Sequence, residues 1–259
     1  MNNKVVMIGA GVANVNAATK LIDEGYNGKI TIIDMGKNPY DRKYSEVMEG
    51  FLGAGGWSDG KLTYHTSIGG QLSKYVGEEK AMELFDQVIA NFKRFHPNPS
   101  EVQCSDPQAE PDFIKPYFGL RLFPVWHVGT DYLHEIGKNW YDFLVEGGVE
   151  FIWETKVTDI KFDTQIVITD ASEVDNFTLE YDQLIFGVGK SGIDFGKKLA
   201  EKYDLPTEPK PVQIGVRFEA PQKHFQKLID VSYDFKLYRK FEDKGVSLRS
   251  FCTNNNAAY

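Results

Sequence analysis

The sequence predicts a three-layer α/β protein in which a Rossmann-like nucleotide-binding domain is interrupted by a mixed, β-rich domain. A short apolar strand, a glycine turn, an amphipathic helix and a second strand follow one another within the first 34 residues. The segment LIFGVG, at 184–189, is typical of another buried strand that ends in a glycine turn. From residue 211 onward apolar and polar residues alternate, which favours half-buried antiparallel strands.

The first strand–helix–strand unit has the clearest pattern. Lys4–Ile8 is rich in Val and Ile, and the apolar residues of 12–24 recur at helical spacing before Gly25, which is expected to end the helix. The segment KITIID, at 29–34, is the second strand. Residues 36–76 are rich in glycine and irregular, and a loop of this length usually lines a site.

Three helices are predicted further along the chain. Those over 79–95 and 130–147 are amphipathic, and the last follows the glycine turn, over 192–203. Residues 96–125 are predicted as loop and short strand, because prolines punctuate them. We therefore expect four stretches: a cofactor-binding strand–helix unit with its glycine loop at 1–66, an insertion at 67–130, a return to the nucleotide domain at 131–204, and substrate-domain strands at 205–259.

Composition is that of an ordinary globular protein without a nucleic-acid or membrane partner. The 259 residues are 42% hydrophobic and 25% charged, with a net charge of -8, which disfavours nucleic acid and anionic membrane surfaces. No apolar run approaches the ~20 residues that span a bilayer. The first strand leaves no room for a signal peptide, so we expect a cytoplasmic protein. Cys104 and Cys252 have neither disulfide nor metal spacing, and no metal site is predicted.

The turn Gly9-Ala10-Gly11 predicts a phosphate site. A strand, a Gly-x-Gly turn and a helix together direct backbone N–H groups and the positive end of the helix dipole at an anion. Gly9 allows the tight turn, and Gly11 lets the backbone approach a diphosphate. Asp34 ends the second strand, where a carboxylate can accept both hydroxyls of an adenosine ribose and would repel a 2′-phosphate. The alternative is a strand–turn–helix unit that binds nothing.

Asn14 stands where a third glycine or an alanine is typical of such turns. The third small residue normally lets the helix pack closely on the sheet. We expect Asn14 either to push the helix outward or to turn its amide toward the phosphates as a donor. In both cases it would retune the phosphate site without abolishing it.

Five segments then occur in a fixed order, and together they carry a family resemblance. They are GAGGWSDGKLT at 53–63, HVGTD at 127–131, LIFGVGKSGID at 184–194, KPVQIGVRFEAPQ at 210–222 and SLRSFC at 247–252. They resemble the GGAGTFSDGKL-like, HIGTD-like, AIGHSARD-like, KPFAIGVRIEHPQ-like and YSFCMCPGG-like segments of uncharacterised FAD-dependent dehydrogenases. The resemblance runs from about residue 4 to the end. It implies a flavin fold of the glutathione-reductase type, with FAD in the first nucleotide site and NAD(P)H as a possible electron donor.

The resemblance also implies which residues bind the cofactor. Gly53, Gly55 and Gly56 would let the backbone pass close to the diphosphate or the flavin, whereas Gly187 and Gly189 match a second glycine motif or form only another strand-to-helix turn. The predicted cofactor-binding residues are Gly9, Gly11, Val12, Ala13, Asn14, Asp34, Met35, Arg42, Gly55, Gly56, Ser58, Lys61, Val157, Gly187 and Gly189.

Lys61 and His127 are the candidate catalytic residues. Lys61 could lie near the flavin N1–C2=O edge, where a cation favours reduced flavin, or be a solvated lysine in an Asp-Gly turn. His127 could donate to substrate or flavin, or be a packed core histidine. Thr130 or Asp131 could be the N-cap of the following helix.

Two arginines have open interpretations. For Arg42 a phosphate contact and a surface salt bridge are both open. Arg217, in an alternating segment, could bind an anionic substrate or face water.

The sequence departs from the family at its C-terminal end. CTNNNAAY, at 252–259, lacks the second thiol and the glycine pair of the relatives, so a dithiol role is not expected, although a single Cys252 thiolate nucleophile stays open. Relatives continue with a closing glycine-and-acid segment. We expect either a truncated chain or a second polypeptide that supplies this segment, because an open sheet exposes an unpaired edge.

The leading interpretation is an FAD-binding oxidoreductase that transfers hydride or electrons to an unknown small substrate. The alternative is a non-catalytic FAD- or ADP-binding scaffold or sensor. A tRNA-modifying flavoprotein is disfavoured by the acidic charge and the lack of a basic tract.

Overall fold

The computed structural model describes residues 3–58, 60–107, 109–171, 177–208 and 214–253. The chain divides into two compact units. Unit 1 consists of 1–60, 94–97 and 130–210, and unit 2 of 61–93, 98–129 and 211–259.

Thirteen strands and six α-helices lie within the described ranges. The strands are β1 (Lys4–Ile8), β2 (Lys29–Ile33), β3 (Lys61–Thr63), β4 (Gln103–Ser105), β5 (Gly119–Arg121), β6 (Val125–His127), β7 (Val149–Ile152), β8 (Thr155–Lys161), β9 (Ile166–Ala171), β10 (Thr178–Glu180), β11 (Gln183–Phe186), β12 (Lys236–Phe241) and β13 (Val246–Arg249). The helices are α1 (Val12–Asp23), α2 (Leu72–Val76), α3 (Glu78–Phe95), α4 (Leu133–Glu146), α5 (Ile193–Lys202) and α6 (Gln226–Ile229).

Unit 1 is built on a parallel sheet in the order β11-β1-β2-β7. Both faces of β1 are covered, because successive side chains of a strand point to opposite sides. Val6 packs in a cluster with Val157 of the antiparallel sheet β10-β9-β8, while Met7 is fully buried on the other face. The helices α1 and α4 pack together, and Trp140 Nε1 donates to Thr19 Oγ1 at 2.7 Å.

These layers confirm the predicted α/β fold class. A parallel strand that is buried on both faces reads as a continuous apolar run, as KVVMI and KITII do. The helix predicted over 130–147 begins later, since Thr130–Tyr132 form a 3₁₀ turn and α4 starts at Leu133. The N-cap position is Tyr132, so the predicted capping role of Thr130 or Asp131 is wrong.

Unit 2 contains two small antiparallel sheets, in the orders β3-β6-β4 and β13-β12-β5. A small core of Ile114, Leu120 and Phe235 lies beside the second sheet. The short strands β3, β4 and β5 and the helix α2 fall in stretches that the sequence predicts as loop or as short, unplaced strand. No helix in the described ranges is both long and apolar enough to cross a bilayer.

The first of the antiparallel strands that the alternating pattern from residue 211 onward predicts is not formed in its described part. Residues 214–221 are irregular, and the side chains of Ile214 and Val216 are 96% and 95% exposed. None of the strands in the described ranges pairs with this segment, so its alternating pattern has no sheet to join. Residues 209–213 lie outside the described residues.

Candidate functional site

The two predicted glycine turns of unit 1 lie side by side. Strands β1 and β11 are parallel neighbours, and Gly187 N donates to Ile8 O at 2.9 Å. Gly9 has a φ of +93°, and a Cβ built on it would lie 2.5 Å from Gly187 O. Only glycine fits at this position, both for its backbone conformation and for the space available. The turns after β1 and β11 therefore meet at the carboxyl edge of the sheet.

The glycine-rich loop at 50–56 also reaches this edge. Leu52 N donates to Ala10 O at 2.8 Å, which joins the loop to the turn after β1. A Cβ on Gly53 would lie 3.4 Å from Gly11 Cα. Three glycine segments from distant parts of the sequence, 9–11, 53–56 and 187–189, thus converge at the start of α1. We call this arrangement the glycine cradle.

The start of α1 suits an anion. Gly11 is the N-cap residue, and the first turn, Val12 to Asn14, carries no acidic side chain. Backbone N–H groups of a first helical turn have no acceptor within the helix, and the helix dipole is positive there. A Cβ placed on Gly11 would have one neighbour within 4 Å, Gly187 O at 3.9 Å, so the missing side chain leaves open space. These residues fit the diphosphate of a dinucleotide.

Asn14 does not face that space as a donor. Its side chain is buried, and Nδ2 donates to Ile8 O at 2.9 Å and to Gly9 O at 2.7 Å. An amide nitrogen has two N–H groups, so both are committed to the turn. The expectation that this amide turns toward a phosphate is therefore wrong.

Asp34 is already engaged by the backbone. Its carboxylate accepts N–H groups from Ala10 at 2.7 Å, Gly36 at 2.7 Å and Gly50 at 2.9 Å. A carboxylate has about four lone-pair sites. About one is left, so the structure has room for a contact with one ribose hydroxyl where the sequence suggested two. Met35 follows half-buried, and the Val157 side chain lies in the core cluster.

Arg42 has neither of its predicted roles. The side chain is 4% exposed, and the guanidinium donates to carbonyl oxygens between residues 46 and 53. These bonds are Nε to Glu46 O at 2.8 Å, Nη1 to Phe51 O at 2.6 Å, and Nη2 to Val47 O at 2.9 Å and Gly53 O at 3.3 Å. Burial lowers the pKa of Arg42 to about 10. Arg42 thus shapes the glycine loop from inside.

A stack of rings lies against the guanidinium of Arg42. The guanidinium lies 4.4 Å from the centre of the Trp57 ring, His134 packs on Trp57, and Tyr44 packs on His134, each ring pair at 3.8 Å. His134 Nε2 is buried and has no hydrogen-bond partner among the residues that the structure describes. Burial, and then the charges of Lys138 and Arg42, lower the pKa of His134. Sequence reasoning missed this stack, because its members lie far apart in the chain.

The two candidate catalytic residues lie together in unit 2. Lys61 of β3 is directly opposite His127 of β6, so the two side chains share a face of the sheet. Gly129 N donates to His127 Nδ1 at 3.2 Å, and the Tyr233 ring lies 4.1 Å from the imidazole, centre to centre. A neutral imidazole that accepts at Nδ1 carries its proton at Nε2.

Lys61 is not a solvated lysine. Its side chain is 7% exposed, its Nζ donates to Thr253 O, and it lies 3.6 Å from Asp234 Oδ1. Asp234 also accepts from Lys236 Nζ at 2.6 Å and from Thr253 N at 2.9 Å. Sequence reasoning missed Asp234 and Lys236, because the segment YDFK gives no sign that its charges are buried.

The remaining predicted residues have less specific surroundings. Gly56 packs against the Leu52 side chain, Gly189 has a φ of +59° between β11 and α5, and Ser58 is half-buried. Arg217 pairs with Glu219 on the surface. Cys104 and Cys252 are free cysteines in exposed positions, and the partial burial of the Cys104 thiol raises its pKa. The described residues hold no group of three His, Cys, Asp or Glu side chains that could bind a metal.

Comparisons with known proteins agree with this architecture. Residues 3–205 match the family described as pyridine nucleotide-disulphide oxidoreductase. Among curated proteins none matches the chain.

Solved structures resemble the chain distantly. A flavoprotein/dehydrogenase from Cytophaga hutchinsonii is 17% identical, with 81% of this chain and 44% of that chain covered and a TM-score of 0.44. A glycine oxidase from Geobacillus kaustophilus is 10% identical, with 76% of this chain and 59% of that chain covered and a TM-score of 0.45. This chain thus spans less than two thirds of either length. At these TM-scores neither likeness carries a functional argument.

Proposed function

Because the chain belongs to the pyridine nucleotide-disulphide oxidoreductase family, we propose that unit 1 binds FAD and that the protein acts as an FAD-dependent oxidoreductase on a small substrate. The observation that carries this proposal is the glycine cradle. Its three segments leave backbone N–H groups and open space at the positive end of α1, which is the environment a diphosphate requires.

The residues of unit 1 have distinct parts in holding the cofactor. The first-turn N–H groups of α1 bind the diphosphate, and the lone pair left on Asp34 accepts one ribose hydroxyl. Arg42 keeps the 50–56 loop in place by its bonds to Phe51 O and Gly53 O. When bound, FAD supplies hydride or electron transfer, and the protein supplies orientation and electrostatics.

We propose Lys61 and His127 as the residues that act on the substrate side. Both lie on one face of the sheet β3-β6-β4, and Asp234 fixes the Lys61 ammonium. The Nε2–H of a neutral His127 can donate a hydrogen bond, since Nδ1 accepts from Gly129 N–H. Lys61→Met and His127→Phe should therefore reduce the rate of substrate turnover by a larger factor than the factor by which they raise the FAD Kd.

The test is a titration of the purified chain with FAD, followed by reduction. Quenching of flavin fluorescence reports binding, and bleaching of the flavin absorbance after NADH or NADPH is added without oxygen reports electron transfer. Gly11→Val, which fills the open space before α1, should abolish binding, while Gly70→Ala, which meets no atom within 4 Å, should not. Binding without reduction would favour the scaffold or sensor function, and no binding by the wild-type chain would refute the proposal.

We also propose that a further polypeptide completes the assembly. The support is the alternating segment at 214–218, whose apolar residues Ile214, Val216 and Phe218 are at least 77% exposed, as a strand lacking its neighbour would be. Co-expression with the adjoining reading frame should shift the chain to a larger species in size-exclusion chromatography. A chain that binds FAD fully and runs as a monomer in that experiment would contradict this.

A further inference from the structure

Where β1 and β11 end, the side chain of Asn14 lies against Gly187, which has no side chain. Asn14 is 1% exposed, and its Oδ1 lies 2.5 Å from the position that a Cβ on Gly187 would take. The Asn14 side chain therefore occupies the space that the missing side chain of Gly187 leaves. The φ of Gly187 lies outside the left-handed region, so it is Asn14, not the backbone conformation, that requires glycine there.

The amide of Asn14 also fixes the peptide that precedes the start of α1. The carbonyl and N–H of a trans peptide point in opposite directions. In the peptide between Gly9 and Ala10, the carbonyl accepts from Asn14 Nδ2 at 2.7 Å, and the N–H donates to Asp34 Oδ2 at 2.7 Å. This peptide is held from both sides, and Gly11 follows it directly.

We propose that Asn14 is a positioning residue for the cofactor and that Gly187 is its obligatory complement. A small third residue in such a turn lets the helix approach the sheet. Here a larger side chain fits because Gly187, directly after the neighbouring strand β11, has no side chain, and the amide adds bonds that orient the turn. The inference rests on the proposed FAD binding, and it concerns the side chain of Asn14, which orients the turn, and the absence of a side chain at Gly187.

The first experiment compares two asparagines of the same helix. Asn14→Ala removes the bonds to Ile8 O and Gly9 O, and Asn14→Asp keeps the size but replaces the donor with a charge that repels carbonyls and phosphates. Asn16→Ala is the matched control, because Asn16 Nδ2 donates to Val12 O within the helix. We expect the FAD Kd to rise about ten-fold in Asn14→Ala, at least as much in Asn14→Asp, and less than about two-fold in Asn16→Ala.

The second experiment is a double-mutant cycle. Gly187→Ala places a methyl group against Asn14 Oδ1, and we expect about a ten-fold rise in FAD Kd and a lower unfolding temperature of the chain without FAD. In the Asn14→Gly background the methyl group meets no side chain at that point. The same alanine should then change the Kd by less than about three-fold.

The outcomes separate this inference from the proposed function. If the wild-type chain binds no FAD, the proposed function fails. The unfolding temperatures of wild type, Asn14→Gly, Gly187→Ala and the double variant still measure the coupling of Asn14 and Gly187. If wild type binds FAD and Asn14→Ala binds it equally well, the positioning role is overturned, because a purely structural role lowers only the unfolding temperature. Additive effects of Asn14→Gly and Gly187→Ala would overturn the complementarity.

Discussion

Replacing Arg42 with methionine should destabilise unit 1 strongly and weaken FAD binding. The change removes four charge-assisted bonds to carbonyls of the 46–53 loop and keeps a similar apolar volume beside Trp57. Hydrogen bonds to a charged group contribute about 1.5–3 kcal/mol each, but they are not additive, and carbonyls at the half-buried Glu46 and Val47 can be rehydrated. We therefore expect a loss of about 3–5 kcal/mol in the free energy of unfolding.

The assay is urea unfolding followed by tryptophan fluorescence, with FAD affinity measured in parallel. Arg94→Met is the matched control, since Arg94 pairs with Asp23 on the surface and both side chains are about 40% exposed. It should cost at most about 1 kcal/mol. Equal losses for the two variants, or an unchanged FAD Kd in Arg42→Met, would refute the conclusion that Arg42 shapes the cofactor loop.

Three further predictions follow from individual residues. Burial holds the pKa of His134 below its ordinary 6.5. The stability that the neutral imidazole contributes is therefore present above pH 6.5 and is lost as the pH falls through 6.5 toward the pKa of the folded state. His134→Phe should lose less stability between about pH 7.5 and about pH 5 than wild type, and equal losses in urea unfolding would contradict this. Gly9→Ala combines a φ of +93° with a backbone clash and should cost about 4 kcal/mol, against about 1–2 kcal/mol for Gly25→Ala, whose φ is also positive but whose Cβ meets nothing within 4 Å; similar unfolding midpoints would count against the close approach of the two glycine turns. Asp234→Asn should cost about 3–5 kcal/mol by leaving buried ammonium groups without their carboxylate, whereas the exposed Asp112→Asn should have no measurable effect on thermal unfolding, and an unchanged midpoint for Asp234→Asn would rule out the buried cluster.

The parallel sheet could be predicted because its signals are local. The apolar runs at 4–8 and 29–33 and the helical spacing of 12–23 each lie within one element, and the glycine turn connects them in sequence. The three-residue strands of unit 2 could not be predicted in the same way. A strand as short as β3 exists because β6 pairs with it, and its partner is more than 60 residues away.

The positions of charged side chains were the least predictable feature. Arg42 and Asp34 look like ligand contacts in the sequence, because both residue types bind phosphate and ribose in such folds. In the structure backbone carbonyls surround Arg42, and backbone N–H groups surround Asp34. A single sequence does not show which polar groups a loop must satisfy internally. The same reasoning applies to Asn14, whose amide the turn itself uses.

The glycine cradle also has a consequence for the order in which the chain acquires its shape. The segment 9–11 leaves the ribosome almost 180 residues before the segment 187–189. The two meet only when β11, which precedes Gly187, pairs with β1. Closing so large a loop has an entropic cost that grows only slowly with length, but this cost must be met before the glycine cradle is complete. A nascent polypeptide shorter than about 190 residues would therefore have no pocket to load. The proposed cofactor would then bind only after the sheet is complete, and it would stabilise the folded state by mass action without guiding its assembly.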